Sequence, residues 1–144
     1  MEKSGRRLLV ILLIAIVLSP LSGCGGGGTS EEGLSGGGGP EPFPAKILSW
    51  NPPSQYMDGS SLDPGTDLDR IEIYIKQSSS FSDTDNEMAV VSATDPSNGQ
   101  INTSFNLANL SPFLSQGVTY YASVRAVTPT GLKSDFSSSA AFSF

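Results

Sequence analysis

From Phe43 to Phe144 the chain is a succession of short runs in which apolar and polar residues alternate. Leu48 and Trp50 flank Ser49. Ile71, Ile73 and Ile75 interleave with Glu72, Tyr74 and Lys76. Residues 88–91 make a shorter run. Phe105 and Leu107 interleave with Ser104 and Asn106, and Leu110 closes that segment. Tyr120, Ala122, Val124 and Ala126 lie on one face of a long run whose other face carries Tyr121, Ser123 and Arg125. Ala140, Phe142 and Phe144 make the last. Side chains of a strand point alternately to its two faces, so a period of two predicts strands buried on one side. No segment carries a helical period. The runs are bounded by Gly, Pro, Asn, Asp and Ser, and Asn51-Pro52-Pro53 and Pro129-Thr130-Gly131 predict breaks, since proline cannot donate to a ladder. The pattern predicts an all-β sandwich or barrel.

The N-terminal pattern is different. Leu8 to Leu18 is an unbroken apolar run of eleven residues, preceded by Lys3, Arg6 and Arg7 and followed by Ser19-Pro20. At about 1.5 Å per residue it spans roughly half of a hydrocarbon core of about 30 Å, the length of a signal peptide rather than a membrane-crossing helix. Leu21-Ser22-Gly23-Cys24 then resembles the lipobox of bacterial lipoproteins. The resemblance implies cleavage before Cys24 and lipidation of its thiol, with a thioether-linked diacylglycerol and an amide-linked acyl chain such as palmitate. Two or more acyl chains give a stable membrane anchor. Gly25 rather than Asp follows the cysteine, which resembles the pattern exported to the outer membrane in two-membrane bacteria. Residues 25–42 hold nine glycines and Leu34 as their single large apolar side chain, too little to offset the entropy of ordering. They predict a disordered tether with a reach of roughly 20–25 Å. The expected organisation is a leader over 1–23, the lipidated cysteine and linker over 24–42, and one domain over 43–144.

Within that domain, Leu48-x-Trp50-x-Pro52-Pro53 resembles the second strand of a fibronectin type III domain, and Leu68-x-x-Ile71-x-Ile73-Tyr74 its third. Leu110-x-Pro112, then Gly117-x-x-Tyr120-x-Ala122-x-Val124-x-Ala126, resembles the approach to the sixth strand. Gly131-x-x-Ser134-x-x-Ser137 is similar to the run into the last. The resemblance implies an immunoglobulin-like β-sandwich in which the Tyr120 hydroxyl bonds back to upstream backbone. Two departures stand out. Phe113-Leu114-Ser115-Gln116 is inserted between the family's proline and glycine, which places two apolar residues on a loop. Only Pro42-Phe43-Pro44-Ala45 is available for a first strand, and its prolines suit a poorly paired edge.

Composition narrows the function. There is no histidine, and the lipobox uses the one cysteine, so Ser-His-Asp and Cys-His catalysis, histidine metal sites and zinc-thiolate clusters are excluded, as is an intrachain disulfide. Eight Lys plus Arg stand against fourteen Asp plus Glu. Without Lys3, Arg6, Arg7 and Glu2, five basic and thirteen acidic residues remain, a net charge of −8. Such a chain does not neutralise phosphates, so nucleic acid is not an expected partner. Asp58, Asp63, Asp67 and Asp69, and Asp83 to Glu87, form two acidic loops, but they lack the EF-hand spacing and read as solvated loops rather than a calcium site. Paired carboxylates could serve glycoside hydrolysis, which needs a cleft that a sandwich of this size rarely encloses. The expectation is therefore a non-enzymatic, lipid-anchored envelope protein without cofactor or metal. Its module would serve protein binding or assembly, or alternatively carbohydrate binding or adhesion. Tyr56, Tyr74 and Tyr121, expected to face solvent or loops, and Phe113 and Leu114 on the inserted loop are the candidate partner-binding residues. The family's Arg-Gly-Asp loop reads Thr128-Pro129-Thr130-Gly131 here, so that function is not carried over.

Overall fold

A computed structural model describes residues 14–17 and 42–144. Cys24, the tether and most of the leader lie outside the described residues. The chain forms β1 (Ile14–Val17), β2 (Ile47–Trp50), a single helical turn α1 (Pro64–Asp67), β3 (Arg70–Lys76), β4 (Ala89–Ser92), β5 (Ser104–Asn106), a 3-10 helix over Leu107–Phe113, β6 (Tyr120–Val127) and β7 (Ala140–Phe142). They make two antiparallel sheets, one ordered β1-β2-β5 and the other β4-β3-β6-β7. The fold is all-β.

The period-two runs set the core. Leu48 and Trp50 of β2 meet Ile71, Ile73 and Ile75 of β3 and Ala122, Val124 and Ala126 of β6 in one buried cluster. Burying one such aliphatic side chain contributes about 1.5–3 kcal/mol relative to exposure. The longest ladder joins β3 to β6, with Arg70 opposite Val127 and Lys76 opposite Tyr121. The Trp50 indole N–H donates to the Asn102 carbonyl at 3.1 Å, so its polar atom is satisfied at the core edge. The expected tyrosine bond is present: the Tyr120 hydroxyl accepts the Ser115 N–H at 3.0 Å.

Three expectations are corrected. The first-strand position is taken by Ile14–Val17, paired antiparallel with Ile47–Trp50. Residues 42–45 form no strand: Pro42 and Pro44 have no N–H to give, and Phe43 stacks on Phe144 with ring centroids 4.4 Å apart. The run through Phe105 and Leu107 stops being a strand at Asn106. The Asn106 side chain accepts the Ala108 N–H and caps the 3-10 helix, whose Leu107 and Leu110 are buried. Finally, the polar faces of β3 and β6 are not solvated. Glu72, Tyr74, Ser123 and Arg125 are all buried, because the segment from Phe81 to Asp85 and the strap from Lys133 to Ser137 lie across them.

Strand direction gives the domain two ends. β2, β6 and the connection into β7 bring Phe43, Gly117 and Phe144 together at one end, where Gly117 N–H donates to the Phe144 carbonyl and Leu107 N–H to the Lys46 carbonyl. The links 51–69, 93–103 and 128–133 gather at the other, where Asp69 N–H donates to the Val127 carbonyl and Trp50 N–H to the Thr103 carbonyl.

Candidate functional site

The end remote from Phe43 carries a cleft of about 340 Å³ lined by Tyr56, Thr66, Asp67, Thr128, Thr130 and Leu132. Each wall is built by local turn chemistry. Asp58-Gly59 makes the first: Gly59 has φ +80, its N–H donates to the Tyr56 carbonyl, and Asp58 Oδ1 accepts the Ser60 N–H at 2.9 Å. Tyr56 N–H donates back to the Ser60 carbonyl, which fixes Tyr56 at the mouth of a small hairpin. The second wall is α1. Asp63 caps it by accepting the Gly65 N–H, Pro64 occupies its first turn, and Asp67 Oδ2 reaches back to the Asp63 N–H at 2.9 Å. That reciprocal cap leaves Thr66 and Asp67 facing the cleft. The third is the β6–β7 turn, where Gly131 has φ +82 and the Thr128 hydroxyl accepts the Leu132 N–H and lies 2.9 Å from the Thr130 hydroxyl. One aromatic ring, one carboxylate, three threonine hydroxyls and an apolar Leu132 converge there. The set can stack against a flat apolar surface and hydrogen-bond hydroxyls or amides.

A smaller hollow of about 260 Å³ lies on the outer face of β3, lined by Tyr74, Lys76, Phe81 and Asp85. Beside it is a charged network. Glu72, 2% exposed, receives Arg70 Nη2 at 3.1 Å on one oxygen and the Tyr74 hydroxyl at 2.6 Å and Lys133 Nζ at 2.7 Å on the other. Burial alone pushes the Glu72 carboxyl up, and the bonds from Lys133, Tyr74 and Arg70 together with the Lys133 charge outweigh it and hold the group below its usual range. Burial, then the hydrogen bond to Glu72, pushes the Tyr74 phenol up. The bond to Glu72 raises the Lys133 ammonium. Arg125 is buried under Phe136, 4.5 Å from the ring centroid, with Nη1 on Asp83 at 2.5 Å. These partners satisfy one another, and the network holds the strap to the sheet.

The structure separates the residues singled out from sequence. Tyr56 lines the cleft. Tyr74, expected to face solvent, is 2% exposed, because Phe136 packs edge-on against its ring at 4.9 Å. Tyr121 is half-buried on the outer face of β6, between Lys76 and Ala141. Phe113 is 71% exposed, at the end where Phe43 enters. Leu114, expected on the loop surface beside it, is buried in the core, as the 3-10 helix turns it inward. Thr66, Thr128, Thr130 and Leu132 were not foreseen as site residues, and Asp67 was read only as part of an acidic loop. The turn residues Pro129 and Gly131 marked their loop, but nothing local marked that it meets the segment around Tyr56 and α1. Among the described residues no three Cys, Asp or Glu side chains are grouped to hold a metal ion.

The sequence matches no family model and no curated protein. Among solved structures, the crystal structure of pectate lyase PelI from Erwinia chrysanthemi is similar at a TM-score of 0.48 and 14% identity, over 92% of this chain and 27% of that one. This chain thus spans about a quarter of that protein, a likeness too slight to assign either a family or an activity.

Proposed function

We propose that the chain is a lipid-anchored protein of the bacterial envelope, held through Cys24, that displays one fibronectin type III-like sandwich as a binding module. The observation that carries the reading is the polarity of the domain. The chain enters at Phe43, against Phe144, and the cleft of Tyr56, Asp67 and Thr128 lies at the other end. An anchor on the N-terminal side therefore attaches the domain at the end opposite the cleft. The net charge of −8 on the chain after Cys24 repels anionic lipid, which leaves the acyl chains as the attachment.

The chemistry of the cleft favours a second reading of what it binds. A tyrosine ring beside a carboxylate and three threonine hydroxyls suits a sugar as well as a peptide. Detergent phase partitioning tests the anchor. The parent enters the detergent phase and Cys24→Ser remains aqueous; equal partitioning of the two would sink the anchored reading. A glycan array and a pull-down from native envelope, each run with the parent and Tyr56→Ala, test the cleft. Binding lost in the variant places the partner there, and binding that survives it removes the cleft from the function.

A further inference from the structure

We infer that removal of the leader opens the β2 edge of the smaller sheet, and that this edge accepts an extended, uncharged, β-branched strand from a partner protein. The inference rests on the cleavage before Cys24 proposed above. β2 lies between β1 and β5. Trp50 N–H donates to Thr103, and Lys46 N–H to the Asn106 side chain, both on the β5 side. Pairing groups alternate along a strand, so the N–H and C=O of Ile47 and Ser49 face β1. Ile14–Val17 supplies the pairing, with Val17 opposite Ile47 and Ala15 opposite Ser49. Cleavage takes those residues away and leaves four backbone groups without partners.

The edge has none of the usual protection. Ile47–Trp50 contains no charge, proline or bulge, and the neighbouring Lys46 ammonium is held on the Ser143 carbonyl. The chain cannot refill it from nearby, since Pro42 and Pro44 lack N–H groups and Phe43 is committed to Phe144. A second copy on the same membrane is also disfavoured. Antiparallel β2–β2 pairing would put the two Phe43 entry points at opposite ends of the pair, so one tether would have to run back along its domain to reach the same bilayer. The strand seated there, Ile-Ala-Ile-Val, defines the chemistry: four residues, antiparallel, uncharged and mostly β-branched. Strand addition of this kind draws its affinity from main-chain bonds.

The test uses residues 24–144 with Cys24→Ser, and a lysine-flanked peptide carrying Ile-Ala-Ile-Val. The peptide should bind and slow amide exchange at Ile47 and Ser49 by about tenfold or more. The same peptide N-methylated at its alanine and valine amides should not bind. Ser49→Pro, whose lost N–H lies on the open edge, should keep Trp50 buried and lose the peptide. The uncleaved full chain should show both amides already protected and bind no peptide. No binding, binding equal for the methylated peptide, or protection of both amides that rises with protein concentration alone overturns the inference, the last in favour of a second copy. The intact mass of the protein extracted from membranes reports separately whether the leader is removed, so failure of the edge and failure of the anchor are told apart.

Discussion

Trp50 shows how one side chain ties the β2 sheet to the rest of the core. It is buried between the sheets, and its indole N–H is satisfied by Asn102. Trp50→Ala should cost about 3–5 kcal/mol, through lost transfer energy and the cavity left behind. That is a large part of a total of about 5–15 kcal/mol for a typical domain. Urea unfolding checks it, and a loss below about 1 kcal/mol would contradict the packing described. Glu72 makes a different demand. Its carboxyl titrates lower in the folded chain than in the unfolded one, so the unfolded chain holds more protons in acid. The stabilisation is complete above the ordinary value of 4.5 and is lost as pH falls through the lower folded value. Glu72→Gln should therefore be less stable than the parent at neutral pH, and the gap should close on acidification. Urea midpoints across that range measure it; a gap that stays constant would mean that the Glu72 charge is not what holds Lys133 and Tyr74.

At the level of elements, the strap after β6 does the work of a strand with side chains. Ser134 N–H donates to the Ala126 carbonyl while its hydroxyl accepts the Ala126 N–H at 2.9 Å. Ser137 repeats the arrangement three residues on with Val124, again at 2.9 Å. Each hydroxyl replaces a missing ladder carbonyl, so its removal strands a buried N–H. Ser134→Ala and Ser137→Ala should each cost about 1–3 kcal/mol. Faster amide exchange at Ala126 in the first variant and Val124 in the second would locate the loss; an unchanged rate would show that the N–H has another acceptor. This strap also marks where reading from sequence stops. β2, β3 and β6 were legible because their apolar residues keep a period of two against a polar face. That period does not say what covers the polar face, and here Phe136, Lys133 and Asp83 arrive from distant segments. The end of β5 was legible in principle, since Asn106 stands before an apolar pair as a cap does, but the continuing alternation pointed to a strand. Of the cleft, Tyr56 was recognisable as an aromatic on a loop. Its meeting with Thr128 and Thr130, more than seventy positions away, depends on the β3–β6 register and has no local sign.

For the whole molecule, the acidic loops matter more as internal partners than as a cation site. Asp83 engages Arg125, Asp85 engages Lys76 and Asp69 engages Arg70. Asp63 and Asp67 cap α1. Calcium would need six to eight oxygens at about 2.3–2.6 Å and would have to break these bonds to obtain them. Thermal unfolding should be the same in excess calcium and excess chelator at fixed ionic strength. Calcium at a hundred times its dissociation constant would stabilise by about 2.7 kcal/mol, a shift of roughly 10 °C or more in a domain of this size. A shift of that size would turn the loops into the binding site.

The placement of the cleft opposite the Phe43 entry has a mechanical meaning. On the proposed function, a ligand held at Tyr56 and Thr128 and an anchor pulling through Ile47 would load the domain from its two ends, parallel to the strands. The hydrogen bonds between β2 and β5, and between β3 and β6, run across that direction. They are then stressed together in shear rather than opened one by one from a hairpin end. Rupture needs several bonds to fail at once, so a domain with short strands can resist a steady pull between a surface and whatever it holds.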